Sequence, residues 1–541
     1  MDAVTSAPEP VNEPVRTYAP GSPERAELQA ELAAQAACPV ELTATIGGEQ
    51  RMATGPGFRV VQPHAHHEVL GTSAHSSHDD AARAVDAALA AAPAWAGMAF
   101  DDRAAIFLRA ADLLAGPWRA RLNAATMLGQ GKTVQQAEID AACELIDFLR
   151  FNVSFARSIH ANQPSSSPGT WNRTDYRPLE GFVYAVTPFN FTAIAVNLPT
   201  APALMGNVVL WKPSPTAMLS AHWAMRLLEA AGLPPGVVNL LPGDGKAVSE
   251  VALRHRSLAG IHFTGSTATF QYLWQEVGAR IGSYSAYPRV VGETGGKDFV
   301  LAHPSADVEA LRVALVRGAF DYSGQKCSAA SRAYVAQSVW DRLEDDLVST
   351  TESLAVGDPR DLTNFTGAVI DERSFARNAE AIERAKSQPG LRILAGGGCD
   401  SRTGWFVRPT IVRSDDPGDE MFVREYFGPV LSVYVYPDAE FAQMVDVVES
   451  TSPYALTGAV IGDDRAALAL AQDRLRFAAG NFYLNDKPTG AVVGQQPFGG
   501  ARSSGTNDKA GSMWNLIRWA SPRSIKETFG PAHDHRYPHM G

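Results

Sequence analysis

Short apolar runs separated by helical stretches begin at position 181, where GFVYAVT is followed by NVVLWKP, GVVNLLPG and GIHFTGS. Runs of this length bounded by Gly, Pro and Asn read as buried strands. Strands alternating with helices at this spacing imply right-handed parallel crossovers and a doubly wound sheet. A second alternation starts near Phe299 with FVLAH and continues through SRAYVAQ, GPVLSVYVY and TGAVIGD, predicting a second α/β domain. Ahead of both, SSHDDAARAVDAALAAA opens with Ser77 three residues before Asp80, a helix-capping pattern, and carries apolar residues at helical spacing through Val85 and Leu89. Another helix places Ile106, Ala110, Leu113 and Leu114 on one face, so two or three helices are expected first. The first twenty or so residues are acidic, proline-bearing and aperiodic, and read as a loose arm. Residues 485–511, rich in Gly, Pro and Gln, read as a long functional loop.

One span, 181–211, has no charged residue and is long enough to cross a bilayer. Its Pro188, Pro199, Pro202, Asn190, Asn197 and Asn207 would leave polar groups unsatisfied in lipid, so a buried strand, loop and helix is expected, with no membrane partner. A length of 541 residues allows two to four domains. The net charge of -11 provides no basic field for nucleic acid. Cys38, Cys143, Cys327 and Cys399 form no CxxC pair, which argues against a zinc framework or a secreted disulfide pattern and suggests a reducing cytoplasm. The N-terminal residues fit neither a signal peptide nor an Arg-rich transit peptide.

No clean GxGxxG fingerprint is present. GDGKAV at 243–248 is a partial match that reads as a turn, and GETGGKD at 292–298 has the wrong spacing for a P-loop. On motif grounds alone the cofactor stays undecided. The histidine clusters at 64–67 and 533–539 lack a matched second cluster and read as solvated loops, so no metal is expected. Cys327 sits in FDYSGQKCSAASR, among small and polar residues rather than in an apolar run. A thiol of ordinary pKa is mostly protonated at neutral pH, so a nucleophilic role requires an activator and an oxyanion partner from elsewhere in the chain.

Four motifs in order supply those partners, and with them the chain resembles the aldehyde dehydrogenase superfamily over nearly its whole length. They are Pro188-Phe-Asn190-Phe, Glu293 in GETGGK 34 positions ahead of the cysteine, the run ending in Gly324-Gln325-Lys326-Cys327, and Glu425-Tyr-Phe427-Gly-Pro. The blocks QAEIDAACELIDFLRFN, FTGSTATFQYLW and NDKPTGAVVGQQPFGGARSSGTNDKAG are similar to members acting on L-glutamate γ-semialdehyde.

The resemblance implies an α/β fold with two doubly wound domains and a small bridging domain for oligomerisation. It divides the chain into an arm and helical part (1–162), a bridging hairpin (163–180), an NAD-binding domain (181–297), a catalytic domain (298–484), a substrate-anchor loop (485–512) and an oligomerisation tail (513–541). The activity implied is NAD-dependent oxidation of L-glutamate γ-semialdehyde to L-glutamate, the second oxidation of proline catabolism. The implied partners are a further copy of the chain, in a homo-oligomer built on a dimer, and a proline dehydrogenase.

Cys327 becomes the nucleophile, Asn190 the oxyanion donor and Glu293 the general base. Lys212, Ser214, Thr187, Pro188, Gly265, Ser266, Glu425 and Phe427 are implied to hold NAD, the glycine and serine at a helix start. Gly490, Ala491 and Ser328 are implied to hold the substrate carboxylate, Phe498 its aliphatic chain and Glu138 its ammonium, with Lys326 adding positive field. Three positions depart from common members: Pro215 stands in place of an acidic residue, Phe270 of a glycine, and Ala491 of a serine. The rival readings are oxidation of another small semialdehyde, redox-free thiol hydrolysis, and a non-catalytic scaffold.

Overall fold

The computed structural model describes residues 5–541. Two seven-stranded sheets, each with its own apolar core, organise them. The first runs Arg289–Glu293, Leu258–Thr264, Phe182–Val186, Val208–Lys212, Val238–Leu240, Ala44–Ile46, Glu49–Arg51. Its first five strands are parallel and the last two turn back as an antiparallel hairpin. Phe182–Val186 and Val208–Lys212 are buried at every position, as parallel strands covered on both faces must be.

Within the parallel part, the chain runs from Phe182–Val186 outward one way to Val238–Leu240, then crosses back to lay Leu258–Thr264 on the other side. That reversal opens a crevice at the carboxyl ends of the two central strands, where open α/β sheets bind ligands.

The second sheet runs Leu391–Ala395, Thr410–Ser414, Val430–Tyr436, Ala330–Ala336, Asp298–Ala302, Thr457–Ile461, Asn481–Leu484, parallel except for Leu391–Ala395. A separate two-stranded ribbon pairs Thr170–Arg177 with Ser521–Thr528 in antiparallel register.

Each of the eight apolar runs read from the sequence contains a strand. Ser77 caps helix His78–Gly97 in a reciprocal box with Asp80. The uncharged span supplies helix Thr192–Leu204, buried at every position except half-buried Ile194 despite Pro199 and Pro202. Its first two N–H groups, of Thr192 and Ala193, both donate to the Asp140 carboxylate at 2.8 Å, and Asp140 is paired with buried Lys132 at 2.7 Å. No helix among the described residues is long and apolar enough to cross a membrane.

Three expectations are corrected. Five short strands lie between residues 40 and 74, ahead of the helices expected to come first; their polar, half-exposed residues hide any clean alternation. His64 is not solvated: it is buried at a hairpin turn, where burial pushes its imidazole down to about 4, and His66 stacks on Trp405 at 4.4 Å. The N-terminal arm is not loose. Tyr18 is buried, and Asn12, Glu13, Arg16 and Tyr18 all hydrogen-bond to the helical layer. Side-chain bonds rather than its own secondary structure hold the arm, so it shows no period.

Candidate active site

A cleft of about 480 Å³ opens at the crossover of the first sheet and is walled on its far side by the second. Thr187, Pro188 and Asn190 enter it from the end of Phe182–Val186, and Lys212 and Ser214 from the end of Val208–Lys212. Gly265 and Ser266 follow Leu258–Thr264 and open helix Thr267–Ala279, with Ser266 Oγ accepting from the Thr269 N–H at 3.2 Å. Cys327, Glu425 and Phe427 complete the wall. All eight residues expected to hold the cofactor thus line one cleft together with Asn190 and Cys327.

Cys327 lies between the turn Asp321–Gly324 and strand Ala330–Ala336. That turn is strained: Tyr322 and Ser323 adopt left-handed φ of 52° and 50°. The conformation is held because the Ser323 N–H donates to Thr366 Oγ1 at 2.7 Å and its hydroxyl to the Gly367 carbonyl at 2.6 Å. Gln325 Oε1 accepts from the Ile370 N–H at 2.8 Å, and the Asn190 amide donates to the Gln325 carbonyl at 3.1 Å. A side chain at Gly296 would overlap the Cys327 carbonyl, so GETGGK needs glycine there for close backbone approach.

Burial pushes the Cys327 thiol well above its ordinary value, and the carboxylates of Asp298, Glu425 and Glu293 push it further. Burial likewise raises the Glu293 carboxyl, against opposing pulls from the Gly500 N–H and Lys509. Glu293 ends strand Arg289–Glu293, and its Oε2 accepts from the Gly500 N–H at 3.0 Å, so its carboxylate faces the 499–505 loop and does not line the cleft. Glu425 lines the cleft, accepts from the Gly296 N–H at 2.9 Å, and is pushed up to about 7 by burial. Lys212 is buried, and its ammonium makes no hydrogen bond among the described residues; burial lowers it to about 8. Phe427 holds a left-handed φ of 52°, with its ring 5.8 Å from that of Phe189.

Of the three departures, Phe270 turns away from the cleft: its ring stacks on Phe263 at 5.5 Å and covers Gly292.

A second group of residues gathers on the 487–498 segment. Ser328 Oγ and Thr489 Oγ1 are 2.8 Å apart, Gly490 adopts φ +99°, and Lys487 comes close to Gly490. The backbone of Phe498 exchanges two hydrogen bonds with Ala510. Lys326 is buried 3.6 Å from Asp321 and close enough to Lys487 and Lys132 to feel their charges.

Glu138 does not belong to this group. Both its oxygens are consumed by Arg119, Arg16 N–H, Tyr18 and Asn123, and it is fully buried. It holds the arm, and its expected contact with substrate is withdrawn. Glu144, further along the same helical layer, makes no hydrogen bond among the described residues and lies near Lys326; burial first and Asp140 next push it up to about 8. The sequence gives no signal separating the two glutamates, because the arginine that claims Glu138 lies 19 residues away.

A profile of the Aldehyde dehydrogenase family matches residues 51–525. The chain belongs to that family. As an aldehyde dehydrogenase it is 50% identical over 534 residues to the delta-1-pyrroline-5-carboxylate dehydrogenase of Emericella nidulans, covering 97% of this chain and 93% of the relative. A crystal structure of the Mycobacterium tuberculosis Delta-pyrroline-5-carboxylate dehydrogenase bound with NAD is 64% identical and superposes with a TM-score of 0.97 over 100% of both chains. Proline utilization A from Bdellovibrio bacteriovorus is 30% identical, with a TM-score of 0.91 over 98% of this chain and 55% of that one.

The Emericella relative, like the bovine and human ones, is named mitochondrial, which overturns the cytoplasmic expectation. Unpaired cysteines separate reducing from oxidising surroundings, and they cannot tell two reducing compartments apart.

Proposed function

We propose that this aldehyde dehydrogenase oxidises L-glutamate γ-semialdehyde to L-glutamate with NAD, the second oxidation of proline catabolism. The observation that carries the reading is the arrangement of Cys327 between two recognition regions: a nucleotide-sized cleft on one side and, on the other, its neighbour Ser328 meeting Thr489 on the loop that bears Gly490. The 64% identity to the NAD-bound Mycobacterium tuberculosis dehydrogenase supports it.

The cleft fits NAD. A helix N-terminus offers free N–H groups to a pyrophosphate, the unpartnered Lys212 ammonium is placed for a ribose hydroxyl, and Glu425 and Phe427 stand near Cys327 for the nicotinamide end. When bound, NAD accepts a hydride from the substrate carbon. Cys327 as thiolate attacks the aldehyde, and the resulting oxyanion receives hydrogen bonds from the Asn190 amide and the Cys327 N–H. The acyl group left on sulfur is released by water, which Glu293 deprotonates after turning from Gly500.

At the far end, Gly490, Ala491 and Ser328 meet the carboxylate within the field of Lys326 and Lys487, Phe498 walls the chain, and Glu144 faces the ammonium. Initial rates of NADH formation test the reading. Glutamate semialdehyde with NAD should outpace succinate semialdehyde, simple aliphatic aldehydes and NADP; product without NADH would favour thiol hydrolysis and overturn it.

On the same reading the chain divides into an arm and helical part (1–162), a bridging hairpin (163–180), an NAD-binding domain (181–297), a catalytic domain (298–484), a substrate-anchor loop (485–512) and an oligomerisation tail (513–541). The ribbon of Thr170–Arg177 and Ser521–Thr528 is assigned to building a homo-oligomer, supported by its exposed Trp171 and its position outside both cores. The match to just over half of proline utilization A supports contact with a proline-oxidising partner.

A further inference from the structure

The N-terminal arm crosses the outer edge of the 490–498 loop, and the Asn12 side chain makes three of its four possible hydrogen bonds there. Its Nδ2 donates to Asp147 Oδ2 and to the Val493 carbonyl, each at 2.8 Å, and its Oδ1 accepts from Gln495 Nε2 at 2.9 Å. The next backbone N–H, of Glu13, donates to the other Asp147 oxygen at 2.7 Å. Asp147 lies three residues after Glu144 in the same helical layer. Beneath the clasp, Gly494 at φ +80° sits so close to the Phe151 ring that a side chain there would overlap it. The loop is thus fixed to this helix twice, sterically at Gly494 and by polar contacts through Asn12. The arm itself is anchored, since Glu13 pairs with Arg119 and with Arg150 at 2.8 Å, and the Arg16 N–H reaches Glu138 at 2.8 Å.

We propose that Asn12 is a positioning residue for the amino-acid head of the substrate: it clamps the loop carrying Gly490 and Ala491 to the helix carrying Glu144. It thereby sets the separation between the carboxylate-binding and ammonium-binding sides. The inference rests on the semialdehyde reading above. A clamp outside the cleft acts on head-group recognition and leaves the thiol and the nucleotide cleft untouched.

The test is Asn12→Ala, with Gln495→Ala as a second variant that cuts one tie from the loop side. Asn12→Ala should raise KM for glutamate semialdehyde about tenfold, with kcat within about twofold. KM for NAD and kcat/KM for propanal, which has no head group, should not change, and Gln495→Ala should move the semialdehyde KM the same way by less. Hydrogen exchange of the full-length protein without substrate should quicken in 490–496 and stay constant in Phe182–Val186. Equal losses on propanal and semialdehyde, or unchanged loop exchange, would overturn the clamp. Failure of the unaltered protein to oxidise the semialdehyde would overturn the functional reading instead, and loop exchange alone would then decide the clamp.

Discussion

At the scale of single residues, the chemistry is set by burial. Cys327 and Glu293 both react in their deprotonated forms, and burial raises both pKa values, so the protein holds both toward their protonated forms relative to the same groups in water. With both values raised, kcat/KM for aldehyde should climb with pH through the Cys327 ionisation, while kcat, which includes release of the acyl group, should also follow Glu293 and lose that second ionisation in Glu293→Gln. A flat profile would show that neither ionisation limits the reaction. Cys327→Ala should abolish NADH formation while calorimetry still registers NAD binding, because the sulfur is only one point on a wall that the first sheet mostly builds. Asn190→Ala removes one oxyanion donor and should cost about 2.7 to 4 kcal/mol in kcat, roughly a hundredfold to a thousandfold, with KM for NAD little altered. The residues of this chemistry were legible only through their motifs together. Cys327 alone lacks an activator and an oxyanion partner in its own stretch, and the exchange of Glu138 for Glu144 shows the limit, since which glutamate is free depends on an arginine and an arm folded in from elsewhere.

At the scale of elements, the strands feeding the cleft were legible because a parallel strand buried on both faces must be an unbroken apolar run. The strand bearing Glu293 was not: Arg289–Glu293 lies at the sheet edge and mixes charged ends with a glycine. Helix Thr192–Leu204 was expected as a buried helix, but nothing local explains what satisfies its N-terminus. The answer is Asp140, 52 residues upstream of Thr192 in the chain, which caps two N–H groups while neutralising Lys132. Asp140→Ala should therefore be severe. It orphans two helix donors and leaves a buried ammonium unpaired, a combination worth about 3 to 5 kcal/mol in chemical denaturation. Because Asn190 lies two residues before the helix, kcat should fall as well. Stability within about 0.5 kcal/mol of the unaltered protein would reject the cap as a structural determinant.

At the scale of the molecule, the two sheets hold the cleft between them, while the ribbon of Thr170–Arg177 and Ser521–Thr528 contributes little to either core. The chain beyond Ala520 can therefore be treated separately. Trp519 and Ala520 still belong to the body: Trp519 packs on His262 at 4.6 Å, its carbonyl accepts from Asn207 at 2.8 Å, and both residues are buried. Ser521–Thr528 is half-exposed or exposed throughout, yet it supplies the pairing partner for every residue of Thr170–Arg177. Removing residues 521–541 leaves that strand with a row of unpaired N–H and C=O groups, a solitary strand that water alone cannot order. The body keeps its two cores, so thermal unfolding should shift by only a few degrees, roughly what about 1 kcal/mol moves a domain of this size. If the ribbon builds the oligomer, the truncated protein should run as a monomer in light scattering while still binding NAD. An unchanged assembly mass after truncation would show that the subunit contact does not rest on the ribbon.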